Sequence, residues 1–488
     1  MSLVFLADVD LTLRFVFHSS LHPMPRRFAA LDRAYTFPVC SPTRGSFMTG
    51  RLPFHANQVN RRNCDPSQGP PKEMTFISQK LANAGYKTAH VGKWHLGMAS
   101  RTQIPQGRGF DDSLLYFEGA EDHWTQRTCC DPECLVPINA TNCDTSVAFP
   151  NSSFTESPFD LWKDDGPATE LAGTQYNGYM FNDFAVDVIQ KHDVSSPLFM
   201  YLAPANSHAP LEAPQRFLDL YPSDWYLDRR QYAAMCSFWD EIAGNVTRAL
   251  QAKSMWDQTL FVFSSDNGGP AYWSVVPSFQ HGAGANNWPL KGSKASNWEG
   301  GIRVVSFVAG GALPLAMRGK TTEGYIHIAD WYATFCEIGG CDGASDASAA
   351  AADLPAIDSL SMWPLISGQN NTSPRVEIAV VVNAEKRNQS VLIVGDWKLL
   401  TGVQLLSYWQ GPEFPNASNY GKITDPKNMQ LCTPACLYNI RSDPTEQKNV
   451  ALGNLGKVKE MLARLDELKE THFNQIVANG NFFGSFLP

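Results

Sequence analysis

The sequence predicts an α/β fold in which helices sandwich a large mixed, mostly parallel β-sheet, followed by a smaller C-terminal α+β domain. Short apolar segments that end in polar residues alternate with segments of helical periodicity, which is the pattern of a doubly wound sheet. Beyond about residue 370 the apolar segments follow one another directly, which is typical of antiparallel strands. The apolar segments of the main sheet are SLVFLAD (2–8), GYKTAHVG (85–92), SPLFMYLAPA (196–205), QTLFVFSSDNGG (258–269) and GIRVVSFVAGG (301–311).

Helical segments lie between these predicted strands. The segment TFISQKLANAG (75–85) has Thr75 as a candidate N-cap and Gly85 as the residue just past its end. The longer segment 230–253 places apolar residues at helical spacing. Both helices are expected to cover a face of the sheet.

Two domains are predicted, a large catalytic one at 1–369 and a smaller one at 370–488. Within the large domain, 126–173 is rich in cysteine and lacks periodicity, so we expect a surface insertion there. The smaller domain is predicted to combine an antiparallel sheet with one amphipathic helix. Its segments are VEIAVVV (376–382), SVLIVGDWKLL (390–400), CLYNIRSDP (436–444) and the helical KVKEMLARLDELKETHF (457–473).

The composition restricts the classes of function. The chain has 488 residues, of which 43% are hydrophobic, and a formal net charge of −9 at pH 7. This charge argues against nucleic-acid binding and requires that any attraction for an anionic substrate be local. No apolar run approaches the roughly 18 residues of a membrane span, so none is expected.

Cysteines and glycosylation sequons predict a protein of the secretory pathway, extracellular or lysosome-like. Eleven cysteines include the close pairs Cys336/Cys341 and Cys432/Cys436, which is typical of disulfides. Because eleven is odd, at least one cysteine lies outside any intramolecular disulfide, and Cys40 is the candidate. No signal sequence precedes the first strand, so we expect the N-terminus of this chain to be incomplete. The asparagines in Asn-x-Ser/Thr sequons are Asn139, Asn151, Asn245, Asn370, Asn371, Asn388 and Asn416.

The stretch VCSPTRGSFMTGR, residues 39–51, is predicted to open a helix. Pro42 and the small polar Ser41 suit a first helical turn. Free N–H groups and the helix dipole at this end would favour an anion or a developing oxyanion next to Cys40. Arg44, one turn further on, can clamp the group at residue 40 or form a salt bridge within the fold.

Polar side chains also follow the other predicted strands. Lys93 and His95 alternate by two residues, which predicts that both point to one face; there Lys93 can neutralise an anionic oxygen and His95 can take up a proton. His208 lies in a proline-rich loop, where a positioned general acid is reasonable. Asp266 and Asn267 precede two glycines, and their oxygen atoms suit Ca²⁺ or Mg²⁺, although DNGG can also form a simple turn.

The order and wording of these motifs resemble the formylglycine-dependent sulfatases, from about residue 5 to about residue 450. The stretch NNWPLKGSKASNWEGG is most similar to the arylsulfatase B (N-acetylgalactosamine-4-sulfatase) branch. The resemblance implies an alkaline-phosphatase-like sheet and hydrolysis of sulfate esters, on aryl sulfates or on sulfated sugars and glycosaminoglycan-like polysaccharides. The matching motifs, in chain order, are CSPTRGSFMTGR, GYKTAHVGKWHLG, SHAPLEAP, SSDNGG, LKGSKASNWEGGIR and LYNIRSDP.

The resemblance also implies roles for single residues. A formylglycine-generating enzyme would oxidise Cys40 to formylglycine, and one hydroxyl of the hydrated aldehyde would attack sulfur. His95 would take the proton that drives sulfate expulsion. Lys294, the second lysine of its motif, would act with His208 at the leaving-group oxygen, which makes Lys291 the structural or solvated alternative.

A divalent cation, Ca²⁺ or alternatively Mg²⁺, is implied as well, bound by Asp8, Asp266, Asn267 and the modified Cys40. The family pattern has a second aspartate directly after the first, whereas Val9 follows Asp8 in this chain. Asp10 is the candidate replacement, although side chains alternate along an extended strand. Either a mispredicted N-terminal exon or a loss of metal affinity would account for this departure.

Two other functions stay open at this point. A phosphomonoester or phosphonate hydrolase of the same fold would use the same crevice. A noncatalytic secreted glycan-binding protein would keep the fold and the basic pocket without turnover.

Overall fold

The structure is a computed structural model, and it describes residues 1–8, 28–60, 69–128, 159–271, 284–384, 389–411 and 428–473, without the side chains of residues 7, 8 and 384. In these ranges the strands are β1 (Ser2–Asp8), β2 (Ala29–Leu31), β3 (Ala34–Tyr35), β4 (Lys87–Lys93), β5 (Asp112–Tyr116), β6 (Trp162–Lys163), β7 (Gly166–Pro167), β8 (Leu198–Ala203), β9 (Thr259–Ser265), β10 (Arg303–Val304), β11 (Ser306–Ala309), β12 (Thr321–Thr322), β13 (Ile326–His327), β14 (Glu377–Ala384), β15 (Gln389–Val394), β16 (Trp397–Gln404) and β17 (Gln430–Asn439). The helices are α1 (Cys40–Thr49), α2 (Pro53–Ala56), α3 (Ile77–Asn83), α4 (Asn177–Lys191), α5 (Gln215–Leu218), α6 (Leu227–Ala252), α7 (Glu299–Ile302), α8 (Asp330–Gly339), α9 (Ala347–Ala351), α10 (Trp363–Ile366) and α11 (Leu455–Lys469).

The central sheet has ten strands in the order β12-β2-β11-β9-β1-β8-β4-β5-β6-β7. Its middle five strands, β9, β1, β8, β4 and β5, are parallel to one another. The neighbouring strands β11 and β6 join antiparallel on either side. This arrangement confirms the predicted mixed, mostly parallel sheet, and it brings the carboxyl ends of the five parallel strands to one edge, where ligands bind in such folds.

Helices cover both faces of this sheet, because its strands carry apolar side chains that alternate between two cores. On one face Leu6 and Val91 pack with Phe181 of α4 and Phe238 of α6. The other face packs Phe5 and Phe199 against side chains of α1, α3 and α8. These residues are at most 1% exposed, so the sheet is a rigid support for the loops at its carboxyl edge.

The smaller sheet is the antiparallel succession β14-β15-β16-β17. Helix α11 packs on one face through Val458, Met461 and Leu465, which follow the i, i+3, i+7 spacing of an amphipathic helix. The other face contacts Val39 and Trp298 of the large sheet's domain. A smaller C-terminal α+β unit is thus present, and it supports the segment that leads into α1.

Three details differ from the sequence-based expectation or lie beyond the described residues. Phe76, not Thr75, directly precedes α3, and the Thr75 hydroxyl donates to Asp346 instead. The segment 301–311 is not one strand, since a helical turn ends at Ile302 and two short strands follow. Most of the expected insertion, 129–158, lies outside the described residues. No helix within the described ranges has the length and apolarity of a membrane span.

Candidate active site

Residue 40 lies where the sequence predicts it, at the start of a helix. Val39 is extended, with φ −143° and ψ 161°, and Cys40 is the first residue of α1. The Thr43 hydroxyl donates to the Val39 carbonyl at 3.2 Å and accepts from the Phe37 amide at 3.1 Å, so local bonds hold the turn before the helix. Cys40 is 2% exposed and outside any disulfide. It therefore meets the N–H groups of a helix N-terminus, which favour an anion.

Arg44 ties this helix to the carboxyl edge of the sheet. Its Nε donates to Asp266 Oδ2 at 3.0 Å, and its Nη1 donates to the Lys93 carbonyl at 2.8 Å. Burial lowers the pKa of Arg44, but the neighbouring Tyr201 and Asp266 raise it above its ordinary value. The guanidinium therefore stays charged. The salt bridge anticipated within the fold is thus the one between Arg44 and Asp266. Arg44 Nη2 has no partner among the described residues, which leaves one donor for a ligand.

Lys93 is the last residue of β4 and is 0% exposed. Its Nζ has no hydrogen-bond partner in the part of the chain that the structure describes. Burial lowers the pKa of Lys93; of its neighbours, Cys40 and Asp266 raise this pKa, whereas Arg44 and Lys294 lower it. All four of these neighbours therefore lie within electrostatic range of Lys93, where a buried ammonium without a bonded partner favours the arrival of an anion.

His95 is held at the same edge by an unusual backbone conformation. Its φ is +57°, and β4 already ends at Lys93, so the backbone at His95 is not the extended strand on which the predicted alternation depends. The His95 amide donates to the Phe117 carbonyl at 3.0 Å. Its ring lies over Gly119, where an added Cβ would be 3.1 Å from Cε1. The ring, 3% exposed, is thus fixed between the ends of β4 and β5.

His208 and Lys294 lie on two loops that meet at this edge. His208 follows β8 and is 9% exposed, and its Nδ1 is 2.7 Å from the Ala209 carbonyl. Burial lowers the pKa of His208, and the positive charges of Lys294 and Lys93 lower it further. The Lys294 amide donates to the Gly269 carbonyl at 3.2 Å, which anchors its loop beside the end of β9. Both lysines therefore act electrostatically on this imidazole.

Lys291 has a different environment. Its Nζ donates to Gln430 at 2.9 Å and stands 3.5 and 4.6 Å from the ring centroids of Trp298 and Trp409. Burial lowers its pKa to about 8. These contacts fit the structural alternative for Lys291, whereas Lys294 lies within electrostatic range of Lys93 and His208.

Asp266 and Asn267 follow β9 and are buried. Asp266 Oδ1 has no partner in the described ranges, whereas Oδ2 accepts from Arg44. Asn267 Nδ2 donates to the Gly268 carbonyl at 3.1 Å, so the amide nitrogen is already engaged.

The fit of a divalent cation depends on the first strand as well. Strands β1 and β9 pair so that Asp8 lies opposite Ser265, one residue before Asp266. The Asp8 side chain and all of Asp10 lie outside the described residues. Among the side chains that are described, no three of His, Cys, Asp and Glu cluster as metal ligands. The oxygen atoms of Asp266 and Asn267 are of the type that a hard cation takes as ligands, and position 8 is their neighbour across the sheet.

Sequence reasoning missed two tyrosines at this site. Tyr201 Oη accepts from Arg44 Nη1 at 3.4 Å, and burial raises the pKa of Tyr201 to about 12. Tyr116 pairs in register with Lys93, and its buried hydroxyl has no partner among the described residues. Both tyrosines sit inside apolar strands, LFMYLA and DSLLY, where a tyrosine is indistinguishable by pattern from a core residue. Only the register of the sheet could have identified them.

Comparison with known proteins agrees with this geometry. A model of the sulfatase family matches residues 24–341 of the chain. The chain belongs to the sulfatase family. This sulfatase is 31% identical over 465 residues to arylsulfatase J of Mus musculus, which covers 90% of this chain and 70% of the relative. It is 25% identical over 446 residues to arylsulfatase A of Homo sapiens, and the match covers 88% of this chain and 78% of the relative. It is 23% identical over 461 residues to N-acetylgalactosamine-6-sulfatase of Homo sapiens, and the match covers 90% of this chain and 77% of the relative.

Solved structures share the fold of this sulfatase. The crystal structure of Ps i-CgsB in complex with k-i-k-neocarrahexaose matches with a TM-score of 0.76 at 23% identity, covering 99% of this chain and 96% of that one. The PsFucS1 sulfatase from Pseudoalteromonas sp. matches with a TM-score of 0.70 at 19% identity, and the match covers 97% of this chain and 91% of that one. This sulfatase is a sulfuric ester hydrolase of the arylsulfatase type. Its assignment to the arylsulfatase B branch stays a prediction.

Proposed function

We propose that this sulfatase hydrolyses sulfate esters of sugars or glycosaminoglycan-like polysaccharides, with formylglycine made from Cys40 as its nucleophilic group. The observation that supports the proposal most is the fully buried Lys93 ammonium, which has no hydrogen-bond partner in the described ranges. Cys40, Arg44 and Asp266 are close enough to act on its pKa. A desolvated cation of this kind attracts an anion strongly, because few other groups compensate its charge.

Residue 40 and its neighbours would bind and attack the sulfuryl group. Formylglycine would supply a hydrated aldehyde whose hydroxyl is nucleophilic toward sulfur. Lys93 Nζ and Arg44 Nη2 donate to the sulfate oxygens, and His95 accepts a proton at residue 40. Arg44 is locked by Asp266 and by the Lys93 carbonyl, so its charge needs no reorganisation when negative charge develops.

His208 and Lys294 would act on the leaving-group oxygen. The contact of His208 Nδ1 with the Ala209 carbonyl places the hydrogen of the neutral ring on Nδ1, so Nε2 is the nitrogen that takes up and gives a proton. The lowered pKa of His208 keeps the ring neutral until a negatively charged substrate offsets Lys93 and Lys294. His208 then protonates the departing oxygen, and Lys294 relieves its charge.

Asp266 Oδ1 and Asn267 would hold a Ca²⁺ ion, or Mg²⁺, together with Asp8, the modified Cys40, and Asp10 in place of the second aspartate. The partnerless, buried Oδ1 of Asp266 supports this assignment. When bound, the cation would polarise a sulfate oxygen and make the group at residue 40 more acidic.

The substrate class and the compartment have separate support. N-acetylgalactosamine-6-sulfatases are among the relatives, and Ps i-CgsB was solved with an oligosaccharide. Cys336–Cys341 and Cys432–Cys436 form disulfides, which favours an oxidising compartment of the secretory pathway. A formylglycine-generating enzyme would act on the chain there.

The test is a side-by-side assay of 4-nitrophenyl sulfate, 4-nitrophenyl phosphate and a sulfated N-acetylgalactosamine. We expect release of inorganic sulfate from the ester and from the sugar. Faster turnover of the phosphate would instead support a phosphoester hydrolase. Binding of the sulfated sugar without sulfate release would support a noncatalytic glycan-binding protein.

The pH dependence of the reaction follows from His208. A general acid must be protonated, and the pKa of His208 lies below its ordinary value in the free protein. The protonated fraction therefore grows as pH falls, and kcat/KM for a sugar sulfate is expected to fall as pH rises from about 5 to about 8, by at most about tenfold per unit. Measuring this profile for the wild type and for His208→Gln checks the assignment, since the variant should lose the slope. A wild-type rate that instead rises with pH would contradict it.

A further inference from the structure

His123 contacts the backbone on either side of Ala209 through one of its ring nitrogens. It is 0% exposed, and its ring stacks on Tyr176 at 5.4 Å between centroids. Its Nε2 lies 3.0 Å from the Pro210 carbonyl and 3.3 Å from the His208 carbonyl. Because a carbonyl oxygen only accepts, Nε2 must carry the hydrogen in this arrangement.

A buried chain of polar groups holds the other side of the ring. His123 Nδ1 lies 3.1 Å from Asn177 Oδ1, and Asn177 Nδ2 donates to Glu121 Oε1 at 2.8 Å. His123, Asn177 and Glu121 are each at most 1% exposed. The ring is therefore held on both sides, by Asn177 at Nδ1 and by the two carbonyls at Nε2.

We infer that His123 is a positioning residue for His208. Its Nε2–H donates to the carbonyls of His208 and Pro210 and so fixes the loop on either side of Ala209. The fixed loop in turn sets the direction in which the His208 imidazole leaves the backbone. Asn177, which Glu121 holds in place, fixes the orientation of the His123 ring. The inference rests on the proposed role of His208 as the proton donor to the leaving group.

The experiment replaces His123 with phenylalanine, glutamine or asparagine and compares two substrates. His123→Phe keeps the stacked ring but has no donor. In His123→Gln the amide nitrogen takes the place of Nε2, whereas in His123→Asn it reaches only as far as Nδ1. We expect kcat for a sugar sulfate, which needs a protonated leaving group, to fall at least about tenfold in the Phe and Asn variants and to recover in the Gln variant. With 4-nitrophenyl sulfate, whose leaving group departs readily without a proton, all variants should stay within about threefold of the wild type.

The His208→Ala background separates positioning from a general packing effect. If His123 acts through His208, His123→Phe should cause no further loss of kcat there, because the two effects are not additive. Three outcomes would overturn the inference. One is an equal loss of kcat on both substrates, and another is a loss that adds to that of His208→Ala. The third is wild-type activity in the Asn variant. Should His123→Phe fail to fold, the Gln and Asn pair still decides it. A wild type that releases no sulfate, or an unimpaired His208→Ala, would overturn the proposed function itself.

Discussion

Replacing Cys40 with alanine or serine is expected to abolish the release of sulfate, with a loss of at least about a thousandfold in kcat. Alanine has no nucleophile. Serine offers a single hydroxyl that cannot revert to an aldehyde, so its reaction would stop after one turnover at most. The measurement is steady-state release of inorganic sulfate from a sulfated sugar, with the thermal midpoint of each variant recorded alongside.

Cys236 provides a matched control for this substitution. It is the other cysteine that is outside a disulfide within the described ranges, and it is also buried, in α6. Cys236→Ala should cost packing but leave turnover intact. Peptide mass spectrometry of residues 34–51 should show a mass about 18 Da below that of the thiol at Cys40, the size of the conversion to formylglycine. Full activity in Cys40→Ala would rule out the proposed nucleophile.

Replacing Lys93 with methionine is expected to have opposite effects on activity and on stability. The lysine is 0% exposed, its Nζ has no partner among the described residues, and burial lowers its pKa. Removing the ammonium takes away a sulfate contact, so kcat/KM should fall about a hundredfold to a thousandfold. The free energy of unfolding should rise by about 1–3 kcal/mol, because an uncompensated buried charge is replaced by an apolar chain of similar volume. Sulfatase assays and chemical denaturation measure the two effects.

Lys291 is the control for the stability part of this prediction. It is also a buried lysine, but it is bonded to Gln430 and packed on Trp298. Lys291→Met should therefore lower the stability rather than raise it. Added inorganic sulfate gives a readout that does not depend on turnover. It should raise the thermal midpoint of the wild type and not that of Lys93→Met. A Lys93→Met protein that is less stable than the wild type, or still stabilised by sulfate, would contradict the anion site.

Much of the fold and of the candidate site was predictable from the sequence because the signals are local. Apolar runs such as SLVFLAD and LFVFSS are long enough for one buried strand each, and polar residues directly after them fall at the carboxyl edge of a parallel sheet. Pro42 and its neighbours indicated that residue 40 opens a helix. The positions of Lys93, His208 and Asp266 at one edge follow from these patterns.

Other features depend on contacts between distant parts of the chain, which local patterns do not encode. The φ of +57° at His95 is imposed by the junction of β4 with β5. The pairing of Tyr116 with Lys93 exists only through the register of two strands. The chain from Glu121 to His123 joins residues that are close in sequence through Asn177, which is 54 positions away from His123.

The sequence by itself determined which segments become strands and helices and which chemical groups end at the edge of the sheet, because periodicity and helix-start signals act over a few residues. Tertiary structure alone decided that Arg44 is locked to Asp266, that Lys93 is left as a buried ammonium, and that Lys291 packs on Trp298. It also decided that Lys294 lies within electrostatic range of Lys93 and His208. The physical reason is burial: the charge, pKa and bonding partner of each group depend on which distant segment displaces its water.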